Sequence, residues 1–166
     1  MDTKKIAIIG AGSWGTALSL HLAEKIEQIS LWVYEKELCD IILKERENKW
    51  FLPGFSLPEN INPNNSIETV IRHHSTILMV TPTPTLRNIM SQLETFIQPE
   101  SLIINASKGI ENDSLSTCHK IIKDSLNIPC DVATISGPTF AKEVAAKVPS
   151  ALLAASECED AAKKVQ

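Results

Sequence analysis

The sequence predicts an α/β fold, a doubly wound, mainly parallel sheet with helices on both faces, and three observations carry that prediction. Short apolar runs recur along the chain, among them Ile6-Ala7-Ile8-Ile9, Thr76-Ile77-Leu78-Met79-Val80 and Ser101-Leu102-Ile103-Ile104. Segments with helical periodicity separate them, as crossover connections require. The runs are apolar throughout rather than alternating, which suits strands buried on both faces of a parallel sheet.

The chain is organised around its first such unit, Lys4 to Leu18, where an isoleucine-rich run ends in Gly10-Ala11-Gly12-Ser13-Trp14-Gly15. Each glycine permits something different. Gly10 allows a sharp turn out of the strand, Gly12 has no Cβ and lets a pyrophosphate approach the backbone, and Gly15 lets the helix pack closely on the sheet. The helix N-terminus supplies unpaired N–H groups and the positive end of its dipole. The G-x-G-x-x-G pattern alone is weak, but a strand before it and a helix after it make a Rossmann-like dinucleotide turn the expected reading. A glycine-rich turn with no ligand is the alternative. On the helix, Trp14, Ala17, Leu18, His21 and Leu22 share one face, so His21 is expected to be a packed core histidine.

Ile29-Ser30-Leu31-Trp32-Val33-Tyr34 reads as the second strand. Glu35 follows about 20 residues after Gly15, where this fold places an acidic acceptor for the adenosine ribose 2′-hydroxyl. That spacing favours NAD. Two other readings stay open: Glu35 as a solvated first-turn residue, and Lys36 or Tyr34 beside a 2′-phosphate, which would admit NADP.

A charged amphipathic helix is expected over 37–49, running into Asn48-Lys49-Trp50-Phe51-Leu52-Pro53-Gly54-Phe55, whose aromatics suggest a hydrophobic plug under a loop. A proline- and asparagine-rich loop follows, with at most a short strand near Ile61. Ser66 is a candidate N-cap for a helix through Ile71. The Thr81-Pro82-Thr83-Pro84-Thr85 turn lies beyond a strand's carboxyl end, so Pro82 is either a ligand contact or a plain helix start. The next helix carries Leu86, Ile89, Met90, Leu93 and Phe96. The strand over 101–106 leads to Ser107-Lys108-Gly109 and then to a helix expected over 114–126. Val132–Ser136 leads to Gly137-Pro138-Thr139-Phe140-Ala141-Lys142-Glu143, expected to open a helix. A last strand is expected over 151–155 and a last helix over 157–166.

Composition narrows the function classes. The chain has 166 residues, 43% hydrophobic and 22% charged, enough for one globular domain with its own core. The formal charge of −4 is spread without a basic run, which argues against a nucleic acid or an anionic membrane surface as partner. No apolar stretch approaches the roughly 20 residues that span a bilayer, and Met1-Asp2-Thr3-Lys4-Lys5 does not resemble a signal peptide. Cys39, Cys118, Cys130 and Cys158 are far apart, without metal-ligand spacing, and read as reduced thiols of a cytoplasmic protein. His73-His74 cannot both face one metal from a strand lead-in, so no metal site is expected.

Four segments in order, Gly10 to Ala17, Asn48-x-x-Phe51-Leu52-Pro53, Ser107-Lys108-Gly109 and Ser136 to Glu143, resemble the cofactor-binding half of the bacterial NAD(P)-dependent glycerol-3-phosphate dehydrogenases. The last segment is the most specific, and the resemblance covers essentially the whole chain. It implies hydride transfer between NAD or NADP and sn-glycerol 3-phosphate or dihydroxyacetone phosphate, supplying glycerol 3-phosphate for phospholipid synthesis. It also implies that Ser13, Trp14 and Ala141 touch the dinucleotide, that Lys108 meets both cofactor and substrate, and that Gly137 and Thr139 complete the substrate side. Tyr34 departs from the family, which often has arginine or histidine near the adenosine ribose, so the choice between NAD and NADP stays open.

By the same resemblance, residues 1–166 form an N-terminal dinucleotide-binding domain. A helical C-terminal domain would bring the general acid/base lysine and the asparagine and arginine that hold the substrate phosphate. Lys163-Lys164-Val165-Gln166 shows no helix stop, so the chain is expected to be truncated, with no acid/base catalytic residue among its 166 and no turnover alone. A homodimer of the full-length form stays open. The alternatives are another two-domain NAD(P)-dependent dehydrogenase, acting on a hydroxy acid or sugar phosphate, and a non-catalytic dinucleotide-binding redox sensor.

Overall fold

A computed structural model describes residues 4–166; the reading of Met1-Asp2-Thr3 lies outside the described residues. Among these the chain runs β1 (Lys5–Ile9), α1 (Ser13–Leu22), β2 (Gln28–Trp32), α2 (Lys36–Glu45), β3 (Ile61–Asn64), α3 (Ile67–Ile71) and β4 (Thr76–Met79). It continues through α4 (Thr83–Leu93), β5 (Leu102–Asn105), α5 (Cys118–Asp124), β6 (Asp131–Ser136), α6 (Ala141–Ala145), β7 (Leu153–Ser156) and α7 (Glu159–Val165). The strands form one sheet in the order β3-β2-β1-β4-β5-β6-β7. All neighbours pair in parallel up to β6.

Successive residues of a strand face opposite sides of the sheet, so a strand covered on both sides must be apolar at every position. Ile8, Leu31, Leu78 and Ile104 meet Leu18 of α1, Leu38 and Ile42 of α2 and Ala161 of α7 on one face. Ala7, Ile9, Ile77, Met79 and Ile103 meet Ile71 of α3, Leu86 and Met90 of α4 and Ile121 of α5 on the other. Each such isoleucine or leucine contributes about 1.5–3 kcal/mol by burial, so the two layers together hold the sheet. The crevice where the strand order reverses lies between β1 and β4, at their carboxyl ends.

Local chemistry sets several boundaries differently from the sequence reading. The helix expected over 37–49 stops at Glu45, because Arg46 takes a left-handed conformation (φ 54°) and its N–H closes on the Ile42 carbonyl. The helix expected from Ser114 starts at Cys118, where Thr117 accepts a hydrogen bond from the Lys120 N–H. Ser66 caps α3 as expected, accepting from the Thr69 N–H. The short strand near Ile61 exists, and β3 pairs with β2.

Two packing expectations are overturned. His21 is exposed, because α1 meets the sheet through the small residues Gly15, Thr16, Ala17 and Ser19, which rotate the buried face away from it. Trp50 and Phe51 are 45% and 41% exposed rather than plugged into a core; of the three aromatics only Phe55 packs inward, against the cluster of Ala17, Leu52 and Val144, and Asn48 and Leu52 anchor the segment. The last strand also departs from the parallel pattern, since β7 runs antiparallel to β6. Val144 of α6 packs with Ala17 of α1 and Leu52, so α6 does not cross the sheet and the chain re-enters from the end it left.

The buried histidine is His74, 5% exposed beside α3. Burial, with Lys5 and His73 nearby, holds its ring below the ordinary 6.5. The unfolded chain therefore binds more protons, so stability is complete above pH 6.5 and is lost as pH falls through that value toward the folded-state one. Urea unfolding at pH 7.5 and 5.5 should show a loss of at most about 1.4 kcal/mol per pH unit from this ring, and His74→Phe should flatten that part of the profile.

Candidate functional site

The site begins with the backbone of the glycine turn. Gly10 leaves β1 at φ +120°, and a Cβ there would stand 2.5 Å from the Val80 carbonyl oxygen. At Gly15 a Cβ would lie far inside van der Waals contact with the Gly10 carbonyl oxygen. Gly12 differs: a Cβ there meets nothing within 4 Å, because the space beside it is open cavity. Gly12 is also the N-cap of α1, and neither a side-chain cap nor an acidic residue occupies the first turn. The positive end of α1 and its free N–H groups therefore face the cavity with no carboxylate in their own turn.

That cavity, about 690 Å³, opens at the carboxyl ends of the central strands. Gly10, Gly12, Ser13, Trp14 and Gly15 form its floor. Tyr34 and Glu35 line it after β2, Pro82 at the start of α4, Lys108 after β5, and Thr139 and Ala141 after β6. The fold thus brings together residues up to 131 positions apart, from Gly10 to Ala141. Gly137 is not among the lining residues; it sits against the backbone of Ala151 and Leu152, where the chain returns toward β7.

Hydrogen bonds hold the walls. Asn65 Nδ2 donates to the Val33 and Tyr34 carbonyls at 2.7 and 2.6 Å, fixing the chain just past β2. Tyr34 itself is 74% exposed, and Trp32 meets it edge-on with ring centroids 5.8 Å apart. Opposite, the Thr83 hydroxyl donates to the Lys108 carbonyl at 2.7 Å, and the Thr81 N–H donates to Ser107 Oγ at 3.0 Å. Arg87 of α4 grips Glu111 through Nε and an Nη nitrogen at 3.0 and 2.7 Å. That guanidinium, aided by the Ser114 hydroxyl, holds the Glu111 carboxyl down to about 2. Lys108 Nζ lies 5.1 Å from the centroid of the Trp14 ring, a cation–π distance.

Three residues lining the cavity carry a buried polar group with no hydrogen-bond partner among the described residues: the Trp14 indole N–H and the Thr81 and Thr139 hydroxyls. Buried donors are normally satisfied, so such groups at a cavity fit a ligand with acceptors. Phe51, Asn88, Gln92 and Phe140 also line the cavity, and sequence reading did not single them out for it. Asn88 and Gln92 are spaced i, i+4 on α4, a signal that helical periodicity of polar residues could have given. Phe51 and Phe140 stand inside two of the segments that carry the family resemblance, but Phe51 read as part of a hydrophobic plug and Phe140 as a helix lead-in.

An open parallel sheet, a glycine turn feeding an uncapped helix N-terminus and a cavity at the strand-order reversal together define a Rossmann-type domain of the dehydrogenase kind. The profile of the family described as NAD-dependent glycerol-3-phosphate dehydrogenase N-terminus matches residues 5–162. The chain belongs to that family. It is 41% identical over 163 residues to glycerol-3-phosphate dehydrogenase [NAD(P)+] of Syntrophobacter fumaroxidans, covering 97% of this chain and 48% of that protein. It is 42% identical over 169 residues to the Desulfotalea psychrophila protein of the same name, covering 99% and 50%. The crystal structure of glycerol-3-phosphate dehydrogenase from Coxiella burnetii superposes with a TM-score of 0.91 at 32% identity, over 98% of this chain and 50% of that one. The chain spans about half the length of these relatives.

The glycine contacts yield a stability prediction independent of any ligand. Gly15→Ala forces α1 off the Gly10 carbonyl and should cost about 3 kcal/mol, the upper range for overpacking, read as a lower urea midpoint at unchanged m-value.

Proposed function

We propose that this chain is the dinucleotide-binding domain of an enzyme that transfers a hydride between NAD or NADP and glycerol 3-phosphate or dihydroxyacetone phosphate. The observation that carries the reading is the cavity floor: an uncapped α1 N-terminus, open space at Gly12, and the unpartnered Trp14 indole and Thr139 hydroxyl together. Those features fit a dinucleotide, whose diphosphate suits the helix N-terminus. When bound, the nicotinamide supplies or accepts the hydride.

The chain's own residues divide the remaining work. Gly12, Ser13 and Trp14 offer backbone N–H groups to the diphosphate. Glu35, at the carboxyl end of β2, is placed to accept from a ribose hydroxyl, and it supports NAD over NADP because a carboxylate repels a 2′-phosphate. Pro82 and Ala141 flank the dinucleotide from α4 and α6. Lys108 presents its ammonium to the carbonyl oxygen or phosphate of the triose, where fixed positive charge stabilises charge developing on oxygen. Thr139 adds a hydroxyl donor beside it, and Gly137 shapes the turn behind it. In this reading the proton-transfer lysine belongs to the other half of the protein, which works in the cytoplasm on a small-molecule substrate and feeds phospholipid synthesis. Among the described residues no helix is long and apolar enough to cross a membrane.

The test is dihydroxyacetone phosphate reduction by the full-length protein, followed by nicotinamide absorbance with NADH and NADPH compared. We expect NADH to be preferred. Lys108→Ala should lower kcat/KM by about a hundredfold or more, the scale for losing one transition-state donor. Gly12→Ala should leave the fold intact, since its Cβ meets no protein atom, yet weaken dinucleotide binding. Binding without reduction of this substrate would move the assignment to another dehydrogenase or to a redox sensor. The 166 residues alone should bind dinucleotide weakly and show no measurable turnover.

A further inference from the structure

Asn48 lies outside the cavity, yet it is wired into the cavity floor. It is fully buried at 0% exposure, although it stands in the irregular segment after α2. Its Nδ2 donates to the Ala11 carbonyl at 2.7 Å and to Thr16 Oγ1 at 2.8 Å, spanning 37 and 32 residues of sequence. Its Oδ1 accepts from the Phe51 N–H at 3.0 Å. The Thr16 hydroxyl in turn donates to the same Ala11 oxygen at 3.3 Å. The amide fits one way round, because Ala11 offers lone pairs alone and Phe51 offers a proton alone.

Ala11 is the residue between the first two glycines of the turn. In a trans peptide the carbonyl and the following N–H point in opposite directions. Drawing the Ala11 oxygen into the interior therefore aims the Gly12 N–H outward, toward the cavity that Gly12 lines. On the other side, the same side chain fixes the backbone of Phe51, whose ring lines that cavity too. One buried amide thus sets both the floor and a wall.

We infer that Asn48 is a positioning residue for the dinucleotide diphosphate, acting through the Ala11–Gly12 peptide and, in the same stroke, seating Phe51 at the cavity. The inference rests on the dinucleotide reading of the cavity. Leu52 supplies the comparison, since it anchors the same segment by packing, at 1% exposure, and touches neither the peptide nor the turn by hydrogen bonds.

The experiment measures KM for NADH and kcat in the full-length enzyme for Asn48→Ala, Asn48→Leu and Leu52→Ala, each checked for folding by circular dichroism. Asn48→Leu keeps most of the volume and so answers the question where Asn48→Ala folds poorly. Losing the 2.7 Å hydrogen bond to the buried Ala11 carbonyl, which then keeps only the longer one from Thr16, corresponds to about a tenfold weaker interaction, so both Asn48 variants should raise KM by that factor, with a smaller fall in kcat. Leu52→Ala should lower the melting temperature while KM stays within about twofold, because packing loss of this kind acts on stability. Equal KM shifts at both positions, or none at Asn48 in folded protein, would reduce Asn48 to a structural anchor and overturn the proposal. If the unsubstituted protein shows no energy transfer from tryptophan to bound NADH, the dinucleotide reading fails and this one with it.

Discussion

The contact between Gly15 and the carbonyl of Gly10 determines where α1 can begin, and the rest of the cavity is placed relative to that point. The Cβ of any other residue at 15 would collide with that oxygen. At this distance the first turn of α1 sits directly over the end of β1, with its N–H groups aimed across the strand carboxyl ends. Gly10 makes the approach possible from the other side by turning the chain against Val80 of the β4 end. A single close contact thus couples the strand-order reversal of the sheet to the positive pole of a helix, a geometry that suits an anion before any side chain is considered.

The two core layers explain why that geometry survives. Each face of the sheet is covered by its own set of helices, and both sets draw on the same five central strands, so most interior strand positions are apolar, with Ser30 of β2 and Thr134 of β6 as exceptions. Polarity gathers at the carboxyl ends, at Asn105 in the last position of β5 and at Thr81 and Ser107 beyond β4 and β5, where Ser107 accepts from Thr81 and Asn105 Oδ1 accepts from the Ser107 N–H at 3.1 Å. The cavity is where an apolar sheet stops and a hydrogen-bonded rim begins. The small third cluster, Ala17 with Leu52 and Val144, ties α6 and the segment after α2 to α1 by packing.

Much of this was readable from residue order because its causes are local. The glycine spacing, the apolar runs and the Ser66 cap each act within a few residues, and the sheet, its helices and the cavity floor follow from them. The walls at Tyr34, Glu35, Pro82 and Lys108 were readable for a related reason: a doubly wound sheet places every strand's carboxyl end on one side, so position after a strand implies position at the site. What escaped depended on tertiary packing. The exposed His21 reflects the way small residues of α1 reach the sheet, and periodicity cannot weigh a serine and a glycine against a leucine. The aromatic segment after α2 read as a plug, since its true anchor, Asn48, is a polar side chain whose partners lie more than thirty residues away. The antiparallel β7 depends on where α6 docks, and nothing within residues 137–152 states that.

Lys108 shows how the two kinds of information combine. Its ammonium is on a flexible four-carbon stem, which by itself would leave the charge roaming over the rim. Its backbone, however, is held from α4 at two points, by Thr83 on the Lys108 carbonyl and by Arg87 on Glu111 three residues on. Cys118 at the start of α5 closes the arrangement, with its sulfur 3.3 Å from the Thr83 hydroxyl and its thiol directed at the Gly109 carbonyl at 3.6 Å. The Trp14 ring then offers the ammonium an electron-rich face that is already fixed by the glycine turn. Fixing the backbone from α4 and α5 and the charge from α1 makes the lysine's position a property of three elements, and its positive charge adds to that of the helix N-terminus in attracting an anion.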